Sequence, residues 1–331
     1  MTRPTLLAGT MALALSALVS GSAFAKDLQV VATFTVLGDV VKAVGGDKVT
    51  VTTLIGPNGD AHEFAPSPAD ASRLKAADLV FMSGLGLEGF MERLISASGY
   101  GGTPVVASEG IRPREMEEAD HDAHEGHTDH DAHDADAEHD THASDDAHAE
   151  HDHGEQDPHV WNDPANVEIW VANIEKALAA ADPEDAATFA ANAAAYVTEL
   201  KALDAYARET IGAVPAERRK ILTSHDAFGY FGAAYGVTLL SPVGLSTEAE
   251  ASAADVAKLI DQIRAEGVKA YFVENSSDPR LVSQIAEATG AQPGGELYVE
   301  SLSGPDGPAP TYLKMLRHNV DEIAKALGTS S

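Results

Sequence analysis

From Lys26 onward the chain alternates short apolar runs with patterns of helical period. Leu28–Phe34 reads as a strand, Val36–Val44 as a helix, and Lys48–Ile55 as a second strand rich in Val and Thr. Ser67-Pro68 has the form of a helix start, with Ser as N-cap and Pro at the first helical position. Asp78–Met82 then reads as a strand, Glu88–Ser98 as a helix and Thr103–Ala107 as a short strand, in which Pro104 fits only near the start or on an edge. This alternation predicts a mainly parallel sheet with helices on both faces. The pattern breaks between Glu115 and Asp157 and resumes at Pro158. Asp163-Pro164 opens a helix with Val167, Trp170, Val171, Ile174 and Leu178 on one face. Asp182-Pro183 opens a longer one, with Phe189, Tyr196, Leu200, Leu203 and Ile211 near helical spacing, that runs to about Gly212. A second βα series follows. Its strands fall at Lys220–Thr223, Val237–Leu240, Lys269–Val273 and Glu296–Val299. Its helices fall at Ala227–Ala234, Ala251–Ala265, Pro279–Thr289 and Tyr312–Leu327.

The expected fold is therefore α/β with two lobes, each a mainly parallel sheet flanked by helices, joined by one long rigid helix. The N-terminal lobe spans 26–182, the linking helix 183–212 and the C-terminal lobe 213–331. Residues 1–25 read as a signal peptide: Arg3, an apolar run from Leu6 to Val19, and a small-residue cleavage site ending Ala23-Phe24-Ala25. The run is short for a membrane span. The expectation is an exported protein, soluble in a bacterial periplasm after cleavage at about Ala25.

Composition sharpens this picture. The net charge is −30, which disfavours any nucleic-acid partner. The stretch Glu115–Asp157 holds 18 acids and no base, so it carries −18 of that charge and leaves −12 for everything else. It also holds 10 of the 14 histidines and no Leu, Ile, Val or aromatic residue, so it reads as a long inserted loop unable to bury a core. The chain has no cysteine. Disulfides, thiol nucleophiles and lipid attachment through cysteine are excluded, and a transition metal must sit on His, Asp or Glu.

Four histidines lie outside the insert. His62 follows a strand in a Gly- and Pro-rich loop, His159 lies in Asp157-Pro-His-Val-Trp, and His225 follows the strand at Lys220–Thr223. Ligands gather beyond the carboxyl ends of strands in open α/β sheets. With Glu300, just after the strand at Glu296–Val299, these residues would make a tetrahedral N/O site suited to Zn²⁺. His318 reads as helix packing.

Six segments in order resemble the metal-specific solute-binding proteins of bacterial ABC importers, the zinc/manganese group called cluster A-I or cluster 9. They are Asp60-Ala-His-Glu-Phe-Ala-Pro-Ser-Pro, Gly84-Leu-Gly-Leu-Glu, Asp157-Pro-His-Val-Trp, Thr223-Ser-His-Asp-Ala-Phe, Tyr271-Phe-Val-Glu-Asn and Thr311-Tyr-Leu-Lys-Met-Leu-Arg-His-Asn-Val. The resemblance implies two lobes joined by one long helix, with the metal between them. It implies His62, His159 and His225 as ligands, the third being His in zinc proteins and usually Glu in manganese proteins. The fourth position is usually Asp in the family; here it is Glu300, with a water as the alternative. Glu274 corresponds to a carboxylate near the cleft that supports the site and is not a ligand. The implied function is capture of Zn²⁺ in the periplasm and delivery to a membrane permease driven by a cytoplasmic ATPase, with no chemical turnover. A periplasmic metallochaperone is a further candidate partner; the protein is expected to be a monomer without a lipid anchor. The insert resembles histidine-rich loops of the zinc branch. Its candidate auxiliary ligands are His121, His124, His127, His130, His133, His139, His142, His148, His151 and His153, as a zinc collector or sensor, or else as a loop that only confers solubility.

Rival readings rest on single features. Gly84-Leu-Gly-Leu-Glu-Gly89 fits G-x-G-x-x-G after a strand, with Glu109 near the place of a ribose-binding acid, which would suggest a dinucleotide fold. The same histidines could serve a secreted zinc hydrolase, although His62-Glu63 does not continue to H-E-x-x-H because position 66 is Pro. A periplasmic zinc chaperone or buffer without an importer would use the same residues.

Overall fold

A computed structural model describes residues 27–114, 156–248 and 251–328. The signal-peptide stretch and the ten histidines of the insert lie outside the described residues. The N-terminal lobe contains β1 (Leu28–Ala32), α1 (Thr35–Gly45), β2 (Val49–Thr53), α2 (Pro68–Ala76), β3 (Leu79–Met82), α3 (Met91–Ser98) and β4 (Val105–Val106). Two long helices follow, α4 (Pro164–Ala181) and α5 (Ala186–Gly212). The C-terminal lobe contains β5 (Lys220–Leu222), α6 (Gly229–Tyr235), β6 (Thr238–Leu240), α7 (Ala253–Glu266), β7 (Ala270–Glu274), α8 (Arg280–Thr289), β8 (Gln292–Leu297) and α9 (Tyr312–Ala326).

Both sheets are wholly parallel and have the same order, β2-β1-β3-β4 and β6-β5-β7-β8. In each, the chain steps one way from its first strand and then returns to the other side. Each lobe therefore has a crevice beyond the strand ends where the order reverses, between β1 and β3 and between β5 and β7. Local chemistry sets the helix starts. The Asp70 carboxylate accepts the Ser67 N–H at 2.8 Å, and Pro68 opens α2. Asp163 accepts the Ala165 N–H at 2.9 Å, with Pro164 at the start of α4.

Two elements differ from the sequence reading for identifiable reasons. The linking helix α5 begins at Ala186, because Asp182 closes a turn by accepting the Glu184 and Asp185 N–H groups at 3.2 and 3.3 Å. Its 27 residues span about 40 Å at 1.5 Å each. The last strand lies earlier than the apolar run at 296–299. Asn319 of α9 bonds both backbone groups of Tyr298 (N–H to Oδ1 3.0 Å, Nδ2 to C=O 2.6 Å) and so takes that residue out of the ladder. In exchange β8 reaches back through Pro293, which an edge strand tolerates.

The lobes share one continuous core. Phe34, Trp161 and Trp170 pack with ring centroids 4.9 to 6.2 Å apart, and the same apolar cluster runs on through Ile211, Phe228, Phe272 and Tyr312. The outer face of the second sheet has a separate small cluster of Leu222, Leu240, Ile263, Val282 and Ile285 under α7 and α8. Polar bonds also cross between lobes. Trp161 Nε1 donates to Val299 C=O at 2.7 Å, Leu302 N–H to Thr35 Oγ1 at 2.8 Å, and Tyr312 N–H, at the start of α9, to Asp39 Oδ2 at 2.8 Å.

Asp39 gives a pH test of this junction. Burial pushes its carboxyl from the ordinary 3.8 up to about 6, against the lowering effect of the Tyr312 N–H. Between those two values the folded protein holds a proton that the unfolded chain has released. Stability contributed at this group therefore falls as pH rises from about 4 to about 6. Asp39→Asn keeps an acceptor for Tyr312 and removes the titration. Its thermal midpoint relative to the parent should rise as pH is raised through that window, to about 1–3 kcal/mol of relative stabilisation at neutral pH. A parent–variant difference that stays flat from pH 4 to 7 would contradict this.

Candidate metal centre

His62 Nε2, His159 Nε2, His225 Nε2 and a Glu300 carboxylate oxygen come together beyond the strand ends, between the lobes. Glu300 Oε1 lies 3.0 Å from His62 Nε2, 3.1 Å from His225 Nε2 and 3.5 Å from His159 Nε2; His62 and His159 Nε2 are 3.2 Å apart. Four atoms tetrahedrally arranged around a centre at the usual 2.0–2.1 Å zinc distances sit about 3.3 Å from one another. Four of the six pairs in the cluster have that scale, and all its candidate ligand atoms lie within 4.8 Å of one another.

Neighbours fix the loop of His62 and the rings of His159 and His225. His62 sits in a loop turned by Asp60, whose Oδ1 accepts the His62 and Glu63 N–H groups at 2.8 and 3.2 Å. Asp157 Oδ1 accepts both the His159 backbone N–H, at 3.0 Å, and ring Nδ1, at 2.9 Å. His225 Nδ1 bonds Glu274 Oε2, while Glu274 Oε1 accepts the Ser224 and His225 N–H groups at 2.9 and 3.2 Å. A proton on Nδ1 leaves the Nε2 lone pair facing the cluster, the tautomer a metal requires. Glu300 divides its two oxygens: Oε1 faces the imidazoles and Oε2 accepts the Ala61 N–H at 2.9 Å. That amide anchors the longer Glu side chain across the lobe interface and leaves one oxygen for an ion.

His159 and Glu300 are fully buried and His225 is 1 % exposed. Burial opposes charge on all three, yet their mutual hydrogen bonds win. Burial would raise the Glu300 carboxyl, but bonds from His159, His225 and His62 hold it well below the ordinary range. Burial would lower His225, but the charge and hydrogen bond of Glu274, then Glu300, hold it well above. His159 is raised against burial by Asp157 and Glu300. The set is thus built around a positive charge, and a metal would replace imidazole protons.

The structure places Glu300 beside the three histidines, and Glu274 behind His225 at the end of β7. His318 is on α9, its Nε2 donating to Glu296 C=O at 3.0 Å and its ring edge-on to Tyr298, away from the cluster. Sequence reasoning missed the orienting role of Asp157, although it lies in the same motif as His159. It also missed the Ala61 amide, for which the sequence carries no signal. Gly84-Leu-Gly-Leu-Glu does follow β3, but its first amide is already occupied. Glu88 accepts the Ser83 and Gly84 N–H groups at 2.6 and 3.0 Å and the Thr33 hydroxyl at 2.7 Å. Two backbone donors at the start of this turn are spent on a buried carboxylate and are lost to a pyrophosphate.

The model of the family described as ZnuA, zinc-uptake complex component A, periplasmic, matches residues 30–326. The chain belongs to this family. Its members are periplasmic metal-binding components of ABC metal importers, not enzymes. Iron-binding protein YfeA of Yersinia pestis is 33 % identical over 304 residues, covering 92 % of this chain and 88 % of its own. Manganese-binding lipoprotein MntA of Bacillus subtilis is 32 % identical over 316 residues, covering 93 % and 92 %. The solved structure of periplasmic zinc binding protein TroA from Treponema pallidum superposes with a TM-score of 0.77 at 31 % identity, covering 91 % of this chain and 99 % of that one. The ZnuA-family fold of two parallel-sheet α/β lobes with flanking helices is the fold of this chain. The relatives are named for three different metals, so the family fixes a divalent-metal cargo and leaves its identity to the site.

Proposed function

We propose that this ZnuA-family protein captures Zn²⁺ in the periplasm through His62, His159, His225 and Glu300 and delivers it to an inner-membrane permease with its cytoplasmic ATPase. The observation that carries the reading is the convergence of three imidazole Nε2 atoms on one Glu300 oxygen at 3.0–3.5 Å. Three nitrogens and one oxygen gathered within 4.8 Å suit zinc, whereas manganese favours oxygen-rich octahedral sets. With Glu300 as fourth ligand the sphere is closed. A hydrolytic zinc needs an open position, which disfavours the hydrolase reading. Among the described residues no helix is long and apolar enough to cross a membrane. Several relatives are named lipoproteins; this chain has no cysteine to carry a lipid, and we infer a protein free in the periplasm.

Competition titration at neutral pH tests the cargo: Zn²⁺ should bind at least about 100-fold more tightly than Mn²⁺, following the order of affinities of N/O sites. Equal or tighter Mn²⁺ binding would overturn the zinc assignment. The histidine-rich insert is proposed as an auxiliary collector of weakly held zinc. Deleting 115–155 should keep the tight site and remove the weak ones; loss of tight binding on deletion would show that the insert supplies a primary ligand.

A further inference from the structure

Asp157 spends one oxygen on His159: Oδ1 accepts the backbone N–H and the ring Nδ1–H at 3.0 and 2.9 Å. The carboxylate is only 3 % exposed, and a buried charge left unpaired is strongly destabilising. Among the described residues the cation at its second oxygen is Arg114, with Nη1 3.6 Å from Oδ2. The two residues flank the histidine-rich insert, and the Asp157 N–H donates to Arg114 C=O at 3.0 Å.

The guanidinium has its own seat on the C-terminal lobe. It lies over the Tyr230 ring, with Cζ 5.7 Å from the centroid, and against Gly229, the first residue of α6. A Cβ at position 229 would stand 1.9 Å from Arg114 Nη1 and 2.6 Å from Asp157 Oδ2. Gly229 is not among the glycines of positive φ, so it is needed there for space and not for backbone conformation. The Tyr230 hydroxyl completes the seat, accepting the Arg114 N–H at 2.9 Å and donating to Asp157 C=O at 3.1 Å. A helix N-terminus disfavours a cation, so α6 alone would not draw Arg114 to this place; the carboxylate and the tyrosine do.

We propose that Arg114 is a positioning residue of the metal site. It holds Asp157 Oδ2 against the start of α6, which keeps Oδ1 on the His159 ring and the ring's Nε2 on the ion. Arg114 and Asp157 belong to the N-terminal lobe, Gly229 and Tyr230 to the C-terminal lobe. The same contact therefore delays the separation of His159 from His225, and Arg114 sets chiefly how fast zinc leaves. This rests on the His62–His159–His225–Glu300 cluster being the metal site.

Chelator-driven release of zinc from the full chain, followed by stopped flow, tests the proposal. Arg114→Gln should release zinc about 5-fold faster, less than the roughly 10–100-fold typical of a group bonded directly to a ligand. Arg114→Lys keeps the charge and should recover most of the difference. Asp157→Asn keeps an oxygen for His159 but leaves no charge to hold. On that background Arg114→Gln should change release by less than about 2-fold, the coupling expected of residues that act through one another. In the zinc-loaded protein the His159 Nδ1–H proton resonance should shift in Arg114→Gln, which a contact serving only the ends of the insert would not cause. Parent-like release by Arg114→Gln, the same factor on both backgrounds, or an unmoved His159 resonance would overturn the proposal. Zinc binding as tight as the parent's in His159→Ala would instead overturn the metal-site reading.

Discussion

Glu300→Gln is expected to weaken zinc binding by about two to four decades, the 3–5 kcal/mol typical of removing one partner from a buried charged pair. The substitution preserves volume, so the loss isolates charge and hydrogen bonding. Glu300 presents one oxygen to three imidazoles and the other to the Ala61 N–H. A Gln amide cannot do both. With its oxygen on the Ala61 amide, its NH₂ faces the ion; flipped, its NH₂ faces another N–H. Glu300→Asp keeps the charge but is one methylene short of spanning both contacts, and should lose about tenfold. Competition against a chelator of known affinity measures both. Parent affinity in Glu300→Gln would remove Glu300 from the ligand set.

Glu274→Ala should act on stability and affinity together. The carboxylate is 3 % exposed and accepts the Ser224 and His225 N–H groups, the His225 ring Nδ1–H and the Ser277 hydroxyl. Truncation leaves buried donors without an acceptor and frees the His225 ring to turn. The expected cost is about 3 kcal/mol in unfolding free energy and 10–100-fold in metal affinity. Urea denaturation of the metal-free protein separates the first effect from the second. A variant as stable as the parent, binding zinc as tightly, would mean that another group orients His225. Glu274→Gln can still accept from the ring and should recover part of the affinity.

The parts of this protein that could be read from sequence are those written in local chemistry. Apolar runs such as Leu-Val-Phe-Met at 79–82, and the pairs Ser67-Pro68 and Asp163-Pro164, specify strands and helix starts on their own. The parallel α/β fold follows from their alternation. His62, His159 and His225 stand out because a histidine in a turn-rich loop after a strand has little packing reason to be there. The remainder depends on partners far away in sequence. The Glu300–Ala61 bond joins residues 239 apart, and nothing near position 300 signals that its second oxygen has a donor. The Leu297-Tyr298-Val299 run looks like a strand until Asn319, 21 residues on, claims the Tyr298 backbone. The G-x-G-x-x-G match misleads for the same reason, since only the fold shows Glu88 occupying the Ser83 and Gly84 amides.

The most direct measurement is the anomalous difference map of a crystal grown with one equivalent of zinc. The expected result is a single strong peak about 2.0–2.2 Å from the Nε2 atoms of His62, His159 and His225 and from Glu300 Oε1, with Oε2 still on the Ala61 N–H. A peak held by fewer than three of these imidazoles, or one with Glu300 turned away and water in its place, would contradict the account.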